Sequence, residues 1–235
     1  MQDRALLVWR MTGISRHPSR VVLHFVTPAS LGGMELDASA VIWNRDDREG
    51  RPLLVILHGL GASEHDFAPI FPMLPDELAI ASVRAPIAYP PGWAWFAPQE
   101  TPRLAREVDE STDALVRFVE TQSGHPSIGI LGFSQGGAIA VHTLRRAPQL
   151  ADYAVSLAGF LPGIADDTAL GRRRPPLFVG YGLADDVVPR AWTDMLVDWA
   201  TPLTELDTHF YAGLAHAVSE EEIADVSAFI RARLP

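Results

Sequence analysis

The stretch Ser127-Ile128-Gly129-Ile130-Leu131-Gly132-Phe133-Ser134-Gln135-Gly136-Gly137 decides the fold. Its first half is a short apolar run of strand type, and a helical pattern opens at Ala138-Ile139-Ala140-Val141 just beyond it. The pattern G-x-S-x-G spans the join. A sharp strand-to-helix turn forces the central serine into a strained backbone conformation and presents its hydroxyl at the edge of a sheet. Small residues two before and two after it are needed because strand and helix approach closely there. The same turn sets backbone N–H groups of a helix N-terminus beside the hydroxyl, where negative charge can be received. Alone the pattern is weak, because glycine and serine are common enough to produce it by chance. The strand before it and the helix after it give it weight.

Working outward, short apolar or β-branched runs alternate with helical patterns, which predicts βαβ units and a mostly parallel sheet. Residues 53–58, LLVILH, are nearly all apolar, as a central strand covered on both faces must be. Further strands are predicted at 21–27, 39–43, 78–83, 127–131, 153–157, 177–181 and 206–211, eight in all. No helical pattern separates the first two, so they form an antiparallel opening pair within residues 1–50, ahead of a catalytic core over 51–235. Helices are predicted at 64–74, 135–147 and 190–200. Another follows Thr101 and Pro102, read as N-cap and first helical residue, with Leu104, Val108, Leu115 and Val119 along one stripe. The last helix opens at Ser219 with Glu222 as a capping box and with Val218 and Ile223 as a hydrophobic staple. Ile223, Val226, Phe229 and Ile230 form its buried face.

The 235 residues are 48% hydrophobic and 20% charged, enough for one sizeable core and one domain. Cysteine is absent, and all 19 basic residues are arginine. Without cysteine there is no disulfide, thiolate ligand or thiol nucleophile. Without lysine there is no Schiff base, no phosphate-binding P-loop and no Ser-Lys dyad. A net charge of −10 argues against a nucleic-acid partner. The run Arg172-Arg173-Arg174 before Pro175-Pro176 reads as solvated, within a surface connection over 163–176. No apolar run approaches the roughly 18 residues of a spanning helix. The apolar stretch at 5–9 is shorter than the core of a signal peptide, about 7 residues or more. A cytoplasmic protein with no membrane partner is expected.

Ser134 is a poor nucleophile until a neighbouring base takes its proton and an acid orients that base. With an elbow of this kind the chain order is Ser, then Asp or Glu, then His. Of the 8 histidines, only His142, His209 and His216 follow Ser134. His142 lies two turns along the helix after the serine and points away from it, and His209 sits inside a predicted strand. His216 follows Gly213-Leu214-Ala215 in a loop between the last strand and the capped helix. Loops at the C-terminal ends of strands are where catalytic groups gather in open α/β sheets, so His216 is the base. The acid is expected at another such end, where Asp185 and Asp186 stand side by side and spacing does not choose between them. Asp166 and Asp167 fall in the surface connection, and Asp207 falls in a strand.

In this order of elbow, acid loop and histidine loop, the chain resembles the α/β-hydrolase superfamily. Within it, the chain is similar to the phospholipase/carboxylesterase group that includes acyl-protein thioesterases. The resemblance runs from about residue 53 to the C-terminus on LHGLGAS (57–63), GFSQGG (132–137), GLADDVVP (182–189) and GLAHAVSEEE (213–222). It implies an α/β-hydrolase fold, and the short interval 158–176, where lipases of this superfamily insert a lid, predicts that no lid domain is present. The family pattern HG-x-x-D-x-x-V-P puts the triad acid on Asp185, with Tyr181 standing where relatives have histidine. It implies oxyanion N–H donors at Leu60 and Gln135 and makes His58 a support of the first loop. Trp93, Trp95 and Phe96 are implied to line the acyl pocket, although Ala97 follows Phe96 where relatives carry a Trp-Phe-Asp-like motif.

The implied activity is hydrolysis of a small-molecule carboxylic ester or thioester through an acyl-enzyme on Ser134, with no metal or organic cofactor. Peptidase, acyltransferase and non-catalytic binding versions of the same site are the alternatives. The interval 158–176, where lipases insert a lid, is short, which favours short to medium acyl chains. Homodimerisation stays open.

Overall fold

The computed structural model describes residues 8–9, 33–98, 103–163 and 167–235. A seven-stranded sheet is built from β2 (Ile42–Trp43), β3 (Leu53–Leu57), β4 (Ala79–Val83), β7 (Ile128–Phe133), β8 (Tyr153–Leu157), β9 (Pro176–Gly182) and β10 (Glu205–Tyr211). Two short pairs flank it: β1 (Val8–Trp9) with β11 (Val218–Ser219), and the hairpin β5 (Ile87–Tyr89) with β6 (Gly92–Ala94). The helices are α1 (Leu104–Glu120), α2 (Gln135–Arg146), α3 (Thr168–Arg173), α4 (Arg190–Ala200) and α5 (Glu220–Arg231).

Sheet order is β10-β9-β8-β7-β3-β4-β2, parallel throughout except where β2 runs against β4. Every residue of β3, β4 and β8 is buried, because helices cover both faces. Alternate residues feed two cores. Leu53, Val55 and Leu57 meet Val108, Leu115 and Val119 of α1, Ile139 of α2 and Leu196 of α4. Leu54 and Ile56 meet Phe67, Ile70 and the Ile223, Phe229 and Ile230 face of α5. Each such side chain contributes about 1.5–3 kcal/mol of burial, so a one-residue slip of β3 would expose a whole row.

Several sequence expectations change. The expected eight-stranded sheet has seven strands among the described residues, since residues 21–27 lie outside them. The segment around Ile42–Trp43 is antiparallel as expected, but its described partner is β4, in the register Ile42↔Ser82 and Trp43↔Ala81. The apolar spacing of residues 64–74 predicts an α-helix; the chain instead makes a 3-10 helix at Ala68–Met73. Pro69 and Pro72 remove two backbone donors there, which an α-helical ladder does not survive. Thr101 and Pro102 lie outside the described residues, and α1 begins after Arg103 with no side-chain cap.

The expected surface connection over 163–176 holds α3, and its arginines are not simply solvated. Arg173 donates to Ala151 O at 2.5 Å, and Arg174 donates to Pro202 O and Thr204 O at 2.5 and 2.7 Å. Guanidinium groups there satisfy carbonyls that helix and strand ends leave open.

The C-terminal cap is as read from sequence. Ser219 Oγ accepts from Glu222 N–H at 3.1 Å, with Val218 and Ile223 buried on either side.

Candidate active site

The turn from β7 into α2 holds Ser134 at φ 55°, ψ −116°. Only close approach makes this turn possible. A Cβ on Gly132 would sit 2.1 Å from Gly136 O, and one on Gly136 would sit 2.3 Å from Leu57 O. The serine's own N–H is tied to Leu157 O at 2.8 Å, which fixes the strained residue to the neighbouring strand.

Two loops at the same end of the sheet reach the hydroxyl. His216 Nε2 lies 3.0 Å from Ser134 Oγ, and His216 Nδ1 lies 2.8 Å from Asp185 Oδ2. With Nδ1–H donating to the carboxylate, Nε2 is left as the acceptor that faces the serine O–H. The second carboxylate oxygen, Oδ1, accepts from Val187 N–H at 2.8 Å and Val188 N–H at 3.0 Å. Burial pushes the Asp185 carboxyl up, but the bond from His216 and the two backbone N–H groups outweigh it and hold it below the usual aspartate range. The carboxylate on His216 is therefore that of Asp185, while Asp186 is exposed beside it. Tyr181 donates its hydroxyl to Val188 O at 3.0 Å, pinning the acid loop from below. The ring of Phe133, 4.8 Å from the imidazole centroid, packs against His216.

The loop after β3 lies on the elbow, since a Cβ on Gly59 would be 3.5 Å from Ser134 Cβ. Among the described residues no backbone carbonyl takes the N–H of Leu60 or of Gln135. Both belong to segments that converge on Ser134, and Gln135 is the first residue of α2.

The loop's shape is set from behind. His58 is fully buried, donates from Nδ1 to Gly59 O at 2.7 Å and accepts Ala85 N–H on Nε2 at 3.1 Å. Burial lowers its pKa, which matches a neutral imidazole used as a brace. Trp95 Nε1–H donates to His58 O at 2.8 Å. The Gln135 side chain joins in at both ends, accepting Trp95 N–H at 3.1 Å and donating to Phe96 O at 2.9 Å.

The three aromatic residues expected along an acyl pocket are placed differently from one another. Trp95 is fully buried with its N–H spent on His58, so it offers no surface to a substrate. Trp93 is half-buried beneath the Arg84 guanidinium, 4.7 Å from its ring centroid. Phe96 is buried and meets Phe160 edge-on at 6.2 Å, and Phe160 meets the exposed Trp192 of α4 at 5.4 Å. Leu183, Val187, Trp192 and Met195, on the acid loop and α4, are exposed.

Sequence reading passed over this apolar rim. Its one signal in the sequence is Trp192 and Met195 at helical spacing, two large apolar residues on one face of α4. The remaining histidines and acids are engaged elsewhere: His142 with Asp109 at 2.8 Å, His209 with Asp207 at 3.0 Å, and Asp167 with Arg145 and Trp199. Asp166 lies outside the described residues.

A mostly parallel sheet with a strained serine elbow at its C-terminal edge defines an α/β-hydrolase. The sequence pattern of the phospholipase/carboxylesterase family matches residues 37–234, and the chain belongs to that family. It is thus a hydrolase of the carboxylesterase type. It is 28% identical over 229 residues to acyl-protein thioesterase 1 of Candida albicans, covering 83% of this chain and 98% of that one.

Two solved structures share the fold. The carboxylesterase from Mesorhizobium loti superposes with a TM-score of 0.72 at 18% identity, covering 85% of this chain and 99% of that one. For Zea mays acyl-protein thioesterase 2 the TM-score is 0.70 at 23% identity, covering 82% and 97%. Among the described residues no helix is long and apolar enough to cross a membrane.

Proposed function

We propose that the chain hydrolyses carboxylic esters and thioesters of short to medium acyl chains through a Ser134-His216-Asp185 triad. His216 Nε2 takes the Ser134 proton as Oγ attacks the acyl carbonyl, and Asp185 holds the imidazole and stabilises the imidazolium. The N–H groups of Leu60 and Gln135 receive the oxyanion, each worth about 3 kcal/mol in the transition state. His216 then protonates the departing alcohol or thiol. Water, deprotonated by the same nitrogen, attacks the acyl-serine, and the acid leaves with Ser134 restored. Every proton is carried by these side chains, so the cycle needs no cofactor.

The observation that carries the reading is the continuous line from Ser134 Oγ through His216, at 3.0 Å, to Asp185, at 2.8 Å. The names of the relatives support both ester and thioester substrates. The apolar rim of Leu183, Val187, Trp192 and Met195 supports an acyl group as the part that is recognised.

The experiment is a panel of p-nitrophenyl esters and acyl thioesters of increasing length, run with wild type and S134A. The expected result is turnover that peaks at short to medium chains and drops to background in S134A. Activity retained by a folded S134A would refute the assignment.

A further inference from the structure

Glu222, the third residue of α5, is only 1% exposed and has no role in the reaction as written. Among the described residues its Oε2 has no hydrogen-bond partner. A Cβ on Gly180 would sit 2.3 Å from its Oε1, so the carboxyl lies directly against β9 and any larger residue there would push it aside. Ser219 caps its N–H at 3.1 Å, and Ser219 N–H bonds back to the carboxyl. The two elements it joins are the ones that matter. Strand β9 ends at Gly182, just before the loop of Asp185, and Ser219 follows closely on His216.

We infer that Glu222 is a positioning residue for His216: its buried carboxyl seats the first turn of α5 on β9 and so sets the distance between the base and the acid loop. The inference rests on His216 being the base.

The groups around Glu222 explain why it is neutral. At the point of Gly180 that its Oε1 faces stand the side chains of Phe178 on β9 and Leu157 on β8. Asp225 lies one turn along α5, and Tyr211 of β10 donates its hydroxyl to Asp225 at 3.0 Å. His209 of β10 is engaged by Asp207 and by Asp225 at 3.0 and 3.3 Å. Burial pushes the Glu222 carboxyl up to about 8, against the Ser219 N–H and with Asp225 adding to the rise. The helix N-terminus favours the anion, yet it does not outweigh the loss of water. Ionisation would put an uncompensated charge among Phe178, Leu157 and the glycine backbone, and the first turn of α5 would have to shift to solvate it.

The test is the pH profile of kcat/KM on a butyryl thioester, with the uncatalysed rate subtracted, for wild type, E222Q, G180A and S134A. Wild type is expected to lose activity reversibly above about pH 8, approaching tenfold per pH unit. E222Q cannot ionise; it is expected to keep at least about a third of the wild-type rate at neutral pH and to hold it through the alkaline range. G180A leaves the carboxyl in place but drives a methyl group into Oε1, so kcat should fall about tenfold or more with KM little changed. Superimposable alkaline limbs for wild type and E222Q, no alkaline fall in wild type, or an unaltered kcat in G180A would each overturn the inference. Activity retained in S134A would instead overturn the triad itself.

Discussion

Asp185 commits one carboxylate oxygen to His216 and the other to two backbone N–H groups, so it cannot turn without breaking three bonds. D185N keeps the size of the side chain but offers an amide N–H to one of these donors, and it no longer selects the tautomer with Nε2 free. The expected outcome is a fall in kcat of roughly 10³–10⁴-fold with little change in KM, measured on the thioester. A fall of less than about tenfold would show that His216 is oriented by something else. The histidine and serine were readable from chain order and from the elbow. The residues alone leave Asp185 and Asp186 open, since spacing does not choose between neighbours in one loop, and only the family pattern puts the acid on Asp185. What separates them is direction: Asp185 turns inward to cap the Val187 and Val188 N–H groups, while Asp186 turns out. That turn is closed by Tyr181, whose hydroxyl reaches Val188 O at 3.0 Å, a contact that no one-dimensional pattern announces.

At the scale of elements, the site depends on segments that never touch the reacting atoms. The β5–β6 hairpin takes Gly61 N–H on Trp93 O at 2.8 Å and returns Trp93 N–H to Ala62 O at 2.9 Å. Gln135 then clamps the residues that follow through Trp95 N–H and Phe96 O. Q135A keeps the backbone N–H proposed for the oxyanion hole and removes only this clamp. At about 1 kcal/mol for each lost bond, kcat should fall about tenfold or more while the fold persists; an unchanged kcat would show that the hairpin is dispensable. Alternation of apolar runs made the parallel strands legible, because β3, β4 and β8 are buried on both faces and read as unbroken hydrophobic stretches. The hairpin was not legible, since Gly92-Trp93-Ala94 earns its place by pairing with Ile87–Tyr89 and with Ala62, contacts made at a distance. Prolines explain the other difference: the apolar spacing of residues 64–74 suits a helix, but Pro69 and Pro72 permit only the tighter 3-10 turn.

For the whole molecule, stability and reactivity meet at α5. That helix seals one core through Ile223, Val226, Phe229 and Ile230 and carries Glu222 at its start. Glu222 holds its proton up to about 8 in the folded chain, against an ordinary 4.5. Between these values the folded state binds the extra proton, so this group contributes a loss of stability as pH rises through the window and nothing further above it. E222Q removes that slope. Its Tm relative to wild type should rise by about 4 °C or more between pH 5 and pH 8.5, read by calorimetry; a constant difference would contradict the buried neutral carboxyl.

The central claim, that Ser134 is the activated nucleophile, is tested most directly by covalent capture. The chain is treated with a fluorophosphonate and digested, and the labelled peptide is located by mass spectrometry. One phosphonyl group is expected on Ser134, with labelling lost in S134A and strongly slowed in H216A. A label on another residue, or labelling that survives S134A, would contradict it.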